Sequence, residues 1–146
     1  MKGGGAEKVL FRLLNYIAKI KNRYDIHLLL VKKEGLLLDG LNENIKIFDF
    51  KKNHVRNSLF DIINYLKIQK PDVFISSLDY MSLMSSLAYK VSSSKASFMI
   101  WEHNNLSIHS KKTISKSLFL NKILIKVFYS FSKKIIAVSN GVRDDL

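Results

Sequence analysis

The sequence predicts an α/β fold in which helices alternate with the strands of one parallel sheet. Two observations lead to this prediction. Largely apolar runs at residues 26–31, which contain one histidine, and at residues 135–138 are typical of strands covered on both faces, as in a parallel sheet. Between such runs lie segments whose apolar residues recur every three or four positions, which is the spacing of an amphipathic helix. Strands separated by helices throughout indicate right-handed crossovers and a doubly wound sheet.

The helices are predicted from these apolar stripes. The first spans about residues 7–21. The second, around residues 59–66, must end before Pro71, because proline disfavours helical geometry in the residue that precedes it. Asp79 is a good N-cap for a third helix, and a long amphipathic helix is predicted over about residues 113–132.

Three further strands complete the predicted sheet, at residues 45–50, 72–76 and 96–101. In doubly wound folds a glycine loop normally follows the first strand and opens the first helix. Here Gly3, Gly4 and Gly5 open the helix with only two residues ahead of them, so the central first strand is predicted to be missing. The last four residues read as the first turn of a further helix. The sequence therefore predicts a single domain over residues 1–146 that is incomplete at both ends.

Composition excludes several classes of site and protein. The chain has no cysteine, which excludes a disulfide framework, a thiolate zinc site and a cysteine nucleophile. His27, His54 and His109 show no metal-ligand spacing, so neither a metal nor a cofactor is expected. No apolar run approaches the roughly 20 residues that cross a bilayer, and the N-terminus does not read as a secretion signal. A cytoplasmic protein is expected.

The net charge of +12 favours an anionic partner. The richness in Lys, Asn, Ile and Ser also resembles the codon bias of an AT-rich genome, which is an equally good explanation of the charge. Residues 106–142 contain no acidic residue and seven lysines. Lysines beside an apolar helix face can lie on an anionic membrane. Packing of Ile123, Leu124, Val127 and Phe128 on the sheet is the preferred interpretation of that face, with the lysines in solvent.

Three motifs carry candidate chemistry, and each also has an ordinary structural explanation. The glycine loop places backbone N–H groups at a helix N-terminus, which suits a phosphate, or it is simply a tight turn. His103 follows a strand at the edge where ligands bind in open α/β sheets. It can hydrogen-bond a sugar hydroxyl or phosphate, or transfer a proton, or it is a satisfied loop residue. Ser139 begins a strand-to-helix turn.

Four motifs then follow one another in a familiar order. They are GGAEK at 4–8, KPDV at 70–73, EHN at 102–104 and IAVSNGV at 136–142. In this respect essentially the whole chain resembles the N-terminal domain of the family-4 glycosyltransferases, the large retaining GT-B group. The opening motif and the Ala-Val-Ser of the last one are the more specific parts.

The resemblance implies two Rossmann-like domains that face each other across a cleft. The C-terminal domain holds most of the nucleotide-sugar donor, and the N-terminal domain, to which this chain corresponds, binds mainly the acceptor. By the same resemblance, His103 contacts the transferred sugar near the reacting centre and is the candidate catalytic residue. Gly4 and Gly5 approach the donor diphosphate or the acceptor through their amides, Asn104 belongs to the acceptor pocket, and Ser139 lies near the route to the second domain.

The function implied is retaining transfer of a hexosyl-type sugar from a nucleotide-sugar to a glycan or lipid-linked acceptor, without a metal. Departure of a nucleoside diphosphate requires positive charge, which the resemblance assigns to the donor-binding domain that is absent here. Residues 1–146 alone are therefore expected to be inactive. Peripheral contact with the anionic inner face of the membrane is a further expectation.

Two alternatives stay open. The chain can be a non-catalytic basic α/β module that binds nucleic acid or an anionic membrane surface. Nucleic acid is the less expected partner, because Phe11, Phe60, Phe74 and Phe128 mostly fall at predicted core positions and not where they would stack on bases. The other alternative is the product of a split or degraded gene, with no function of its own.

Overall fold

A computed structural model describes residues 4–20, 23–103 and 118–145. These residues form an α/β structure in which every strand pair is parallel, so the predicted α/β class with parallel strands is confirmed. The described strands lie in two sheets, one of two strands and one of three, and not in the single sheet that the sequence predicts. The chain divides into two compact units, Met1–His54 and Val55–Leu146, and each unit contains one sheet.

The first unit contains one helix and two strands. Helix α1 spans Gly5–Ala18, strand β1 spans Ile26–Leu30 and strand β2 spans Ile45–Asp49. The two strands are in register from Ile26 opposite Ile45 onward. The core of this unit consists of the buried residues Ala18, Leu28 and Ile45. Leu10, Phe11 and Leu14 of α1 pack against them. The apolar stripe of α1 thus covers the pair of strands, as the three- and four-residue spacing predicts.

The long connection between β1 and β2 is fastened to α1 at two points. Asn15 Nδ2 donates to the Gly40 carbonyl at 3.1 Å, and Asn15 Oδ1 accepts from the Asn42 amide at 2.7 Å. A Cβ on Gly40 would lie 3.1 Å from Cζ of Phe11, which is why glycine fits this close approach. A segment without regular structure is therefore held by one amide side chain and one ring.

The second unit opens with a short 3₁₀ turn, Val55–Ser58, and continues as alternating helices and strands. These elements are α2 (Leu59–Gln69), β3 (Val73–Ser77), α3 (Asp79–Ser92), β4 (Ser97–Glu102), α4 (Leu118–Tyr129), β5 (Lys134–Ala137) and α5 (Asn140–Asp144). The predicted elements are present, with differences mainly at helix ends. Residues 113–117 of the long predicted helix lie outside the described residues.

One face of the three-stranded sheet, in the order β3-β4-β5, forms the core of the second unit. Phe98 and Ile100 of β4 are fully buried. The Phe98 ring stacks between Phe74 of β3, at 5.2 Å between centroids, and Tyr89 of α3, at 5.0 Å. The alternation of side chains along a strand places residues 98, 100 and 102 on this same face.

The opposite face and the β3 edge of this sheet are exposed. Val73 and Ile75 are 51% and 46% exposed, and within the described residues β3 pairs only with β4. The Asp72 carbonyl accepts from the Ser97 amide at 2.7 Å. Since backbone groups alternate in direction along a strand, those of Val73 and Ile75 point away from β4. Strand β3 contains no charged residue, whereas β5 at the other edge begins with Lys134.

Two sequence-based expectations are wrong in the second unit. Asp79 is the first residue of α3 and not its N-cap; Leu78 occupies that position, and its carbonyl accepts from the Ser82 amide at 2.8 Å. On α4, Ile123 and Val127 are 42% and 49% exposed, so they do not pack on the sheet. The helix buries Tyr129 instead, which lies on the opposite side of α4.

Two smaller observations bear on partners. Phe60, which was expected in the core, is 75% exposed. No helix among the described residues combines the length and the apolar character that crossing a bilayer requires.

Candidate functional site

The carboxyl ends of β4 and β5 bring two of the predicted site residues to neighbouring positions. Glu102 lies opposite Ala137 in the parallel register, and the Val138 amide donates to the Glu102 carbonyl at 3.2 Å. His103 directly follows Glu102, and Ser139 lies two residues after Ala137. Both therefore lie at the carboxyl-end edge of the sheet, where ligands bind in open α/β folds.

Glu102 anchors this end of the sheet. Its side chain is fully buried, on the same face as Phe98 and Ile100, and its Oε1 accepts a short hydrogen bond from the Tyr129 hydroxyl at the end of α4. A buried carboxylate is costly unless hydrogen bonds compensate it, so this contact ties α4 to the end of β4. Sequence reasoning did not assign Glu102 a role. The available signal was an acidic residue at a position where the strand alternation predicts burial.

His103 is half-buried and lies over Trp101, with 4.8 Å between ring centroids. Burial lowers the pKa of His103 from its ordinary value of 6.5, so the imidazole is neutral at pH 7. Its Nε2 is buried and has no hydrogen-bond partner within residues 4–20, 23–103 and 118–145. A neutral imidazole offers one donor and one acceptor, which suits a hydroxyl group.

Ser139 has a structural task at the end of β5. Its side chain accepts from the Val142 amide at 3.3 Å and is the N-cap of α5, and its carbonyl accepts from the Arg143 amide at 3.0 Å. An open groove of about 460 Å³ runs past it, lined by Ile135, Ala137, Val138, Ser139, Asn140 and Arg143. The strand-to-helix turn predicted at Ser139 is therefore present, and it borders this groove.

A backbone outlier marks the same edge of the sheet. Leu78, which follows β3, has a φ of 80°, a conformation that residues with a Cβ rarely adopt. Ser77 lies opposite Trp101 in the register, so Leu78 adjoins the end of β4. Residues in such conformations cluster at functional sites, and sequence patterns do not reveal them.

Gly4 and Gly5 lie in the first unit. Gly4 is the N-cap of α1, and its amide donates to Oε2 of Glu7 at 3.1 Å. A Cβ on Gly5 would meet no atom within 4 Å, and one on Gly4 would meet only that Glu7 oxygen, at 3.9 Å. Local packing in the described residues thus does not require either glycine. Glu7 occupies one amide of the predicted phosphate site and adds a negative charge there.

Asn104 lies outside the described residues. Within those residues, no group of three or more His, Asp or Glu side chains is arranged to hold a metal ion. His27 instead contacts Oδ2 of Asp25 at 3.3 Å. The chain matches no family model, no curated protein and no solved structure.

Proposed function

We propose that the chain is the acceptor-side, N-terminal part of a retaining GT-B glycosyltransferase, with a Rossmann-like, doubly wound sheet. The observation that carries the proposal is His103: a half-buried, neutral imidazole at the carboxyl end of β4, with a buried Nε2 to which the described residues supply no hydrogen-bond partner. A sugar presents hydroxyl groups that both donate and accept, which is the complement of this side chain.

The neighbouring features support a ligand at this edge. The ring of Trp101 lies against His103, and the groove beside Ser139 borders the adjacent strand end. Glu102 and Tyr129 hold the end of β4 from the buried side, so the backbone that carries His103 is fixed. Rigid support of this kind is what a binding side chain needs.

The roles proposed are those that the resemblance implies. His103 contacts the transferred sugar near the reacting centre, and Ser139 lies near the route to the second domain. Gly4 and Gly5 approach a diphosphate or acceptor with the amides that Glu7 leaves available. Transfer with retention also needs positive charge against the departing nucleoside diphosphate, which belongs to the donor-binding domain. The proposal therefore assigns to this chain acceptor binding and not turnover.

Ligand binding by the chain itself tests the proposal. Glycan and lipid-linked acceptors are titrated into the protein and binding is followed by NMR, with His103→Ala as the variant and His54→Ala as the histidine control. We expect saturable binding that weakens about two- to tenfold in His103→Ala, the size of one or two hydrogen bonds, and is unchanged in His54→Ala. Equal binding by both variants would refute the role of His103, and release of nucleoside diphosphate by the chain alone would refute its inactivity.

A further inference from the structure

Trp101 and His103 lie next to each other on one face of β4. Side chains alternate along a strand, so both lie on the face opposite to the fully buried Phe98. Strand β4 is the middle strand of the three-stranded sheet. In the parallel register Trp101 lies opposite Ser77 of β3 and Ile136 of β5. The backbone of Trp101 is therefore held by a paired strand on each side.

The support of His103 is different, because this residue lies beyond the paired part of the strand. Strand β4 ends at Glu102, which is the last residue in register with β5, opposite Ala137. The amide of Val138 donates to the Glu102 carbonyl and not to His103. The imidazole is therefore oriented by side-chain contacts. Trp101 provides such a contact, with 4.8 Å between ring centroids and ring planes tilted by 37°.

The indole of Trp101 covers one side of the imidazole. Rings whose centroids lie about 4.5–7 Å apart are in contact, so water is excluded from the side that faces Trp101. Nε2 of His103 is buried, and none of the described residues forms a hydrogen bond with it. An imidazole that is free to turn about its χ1 torsion reaches three staggered positions. Contact with the indole favours one of them and leaves the buried nitrogen for a ligand.

Burial, and not a neighbouring charge, accounts for the lowered pKa of His103. The described charged side chains of the adjoining elements lie elsewhere. Strand β3 has none, and Glu102 lies on the buried face. Lys134 of β5 lies opposite Met99, which is four residues from His103 and so about 13 Å away along the strand. Arg143 of α5 forms an ion pair with the residue that follows it, at 2.9 Å. An apolar cover such as the indole therefore explains the burial.

We propose that Trp101 is a positioning residue for His103: its indole fixes the orientation of the imidazole and shields it from water, so that Nε2 is kept for a hydroxyl group of the ligand. Trp101 acts through His103 and does not touch the ligand itself. That the ligand is a sugar acceptor rests on the proposed function. The coupling between the two rings is a property of the free chain, so the two parts can fail separately.

NMR of the free chain tests the coupling between the rings. The chain has four histidines, and His103→Ala identifies the ring signals that belong to His103. Trp101→Ala removes the indole, so water reaches the imidazole. We expect the pKa of His103 to rise toward 6.5 in this variant, because desolvation disfavours the charged form. We also expect the His103 ring signals to lose the shift that the indole ring current causes.

Two further variants serve as comparisons in the same titration. Trp101→Phe keeps an aromatic face against the imidazole, and we expect it to change the His103 signals less than Trp101→Ala. Phe131→Ala is the matched control, because it removes a ring of the same unit that contacts Phe128, at 6.0 Å between centroids. We expect it to leave the His103 signals unchanged. If Trp101→Ala alters the circular dichroism, Trp101→Leu takes its place with the same expected directions.

Titration with methyl glucoside and methyl mannoside measures the consequence for binding. An imidazole spread over three staggered positions is competent in about one third of the molecules, so the dissociation constant is expected to rise about threefold in Trp101→Ala. Trp101→Phe is expected to bind more tightly than Trp101→Ala, and Phe131→Ala like the unmodified chain. Because Trp101 acts through His103, adding Trp101→Ala to His103→Ala is expected to cause no further loss.

Each result decides one part of the proposal. An unchanged or further lowered pKa of His103 in Trp101→Ala overturns it, because the indole then does not shield the imidazole. A loss of binding in Trp101→Ala that persists in the His103→Ala background also overturns it, since Trp101 would then contact the ligand directly. Absence of binding by the unmodified chain counts against the proposed function, and the NMR titration of the free chain still decides the role of Trp101.

Discussion

Replacing Tyr129 by phenylalanine probes the contact that fixes the end of β4. The Tyr129 hydroxyl donates to Oε1 of Glu102, and both side chains are buried, Glu102 fully so. Phenylalanine keeps the ring and removes only the hydroxyl, so the variant reports the hydrogen bond and not the packing. A neutral hydrogen bond contributes about 0.5–1.5 kcal/mol, and a hydrogen bond to a charged group about 1.5–3 kcal/mol. We expect the free energy of unfolding to fall by about 2 kcal/mol.

Urea unfolding followed by tryptophan fluorescence measures this change. Trp101 is the single tryptophan of the chain and precedes Glu102, so its signal reports the second unit. That matters because the chain has two compact units, and two-state analysis applies only to a cooperative one. Tyr89→Phe provides a graded comparison. The Tyr89 hydroxyl donates to the neutral Ala96 carbonyl at 3.1 Å, and its loss is expected to cost about 1 kcal/mol.

A double-mutant cycle with Glu102→Gln completes the experiment. Glutamine keeps an acceptor oxygen for the Tyr129 hydroxyl but has no negative charge. If the hydroxyl is bound by a charged carboxylate, the effects of Tyr129→Phe and Glu102→Gln are therefore not additive, because only a weaker neutral hydrogen bond is left to lose in the glutamine variant. The reasoning is refuted if Tyr129→Phe costs no more than Tyr89→Phe and the coupling with Glu102→Gln is near zero. Glu102 would then be held by other contacts, and the end of β4 would not depend on α4.

Two further predictions concern buried polar groups. The pKa of His103 is lowered from 6.5 by burial. The unfolded chain therefore takes up a proton first as the pH falls, and this residue makes the free energy of unfolding decrease below about pH 6.5. Urea titrations from about pH 5 to 8, the range in which histidines titrate, are expected to show a weaker dependence of the unfolding free energy on pH in His103→Gln. An identical dependence would contradict the burial of His103. Ser82 is fully buried, and its hydroxyl has no partner in the described part of the chain. Ser82→Ala is expected to leave stability unchanged or raise it by up to about 1 kcal/mol, whereas Ser86→Ala, which loses a 2.7 Å bond to the Ser82 carbonyl, is expected to lower it. Thermal unfolding measures the stability of both variants. If Ser82→Ala loses more stability than Ser86→Ala, the Ser82 hydroxyl and not the Ser86 hydroxyl makes the stabilising contact.

The strands could be predicted because their signal is local. The strands predicted at residues 26–31 and 135–138 are found at Ile26–Leu30 and Lys134–Ala137, since largely apolar segments suit a parallel sheet. The position of His103 after β4 also follows from local pattern alone. Its pKa shift and the contact with Trp101 do not, because they depend on packing.

Other features depend on residues far apart in the chain. The contact between Glu102 and Tyr129 joins positions separated by 27 residues, and no spacing rule selects that pair. Helix α4 has more apolar residues than can be buried on one side of the helix. The sequence therefore did not show that Ile123 would be exposed while Tyr129 is buried. Leu78, and not Asp79, is the N-cap of α3, and it has a positive φ. The propensity of leucine alone disfavours both the position and the backbone conformation.

The uncharged edge at β3 affects how the purified protein behaves in solution. Val73 and Ile75 direct backbone groups away from β4, and such an edge can add an extended segment of another molecule. Addition of this kind is bimolecular, and the net charge of +12 slows the encounter by repulsion. Salt removes that protection, because it screens the repulsion but not the backbone hydrogen bonds. Association through this edge is therefore expected to increase with both protein and salt concentration.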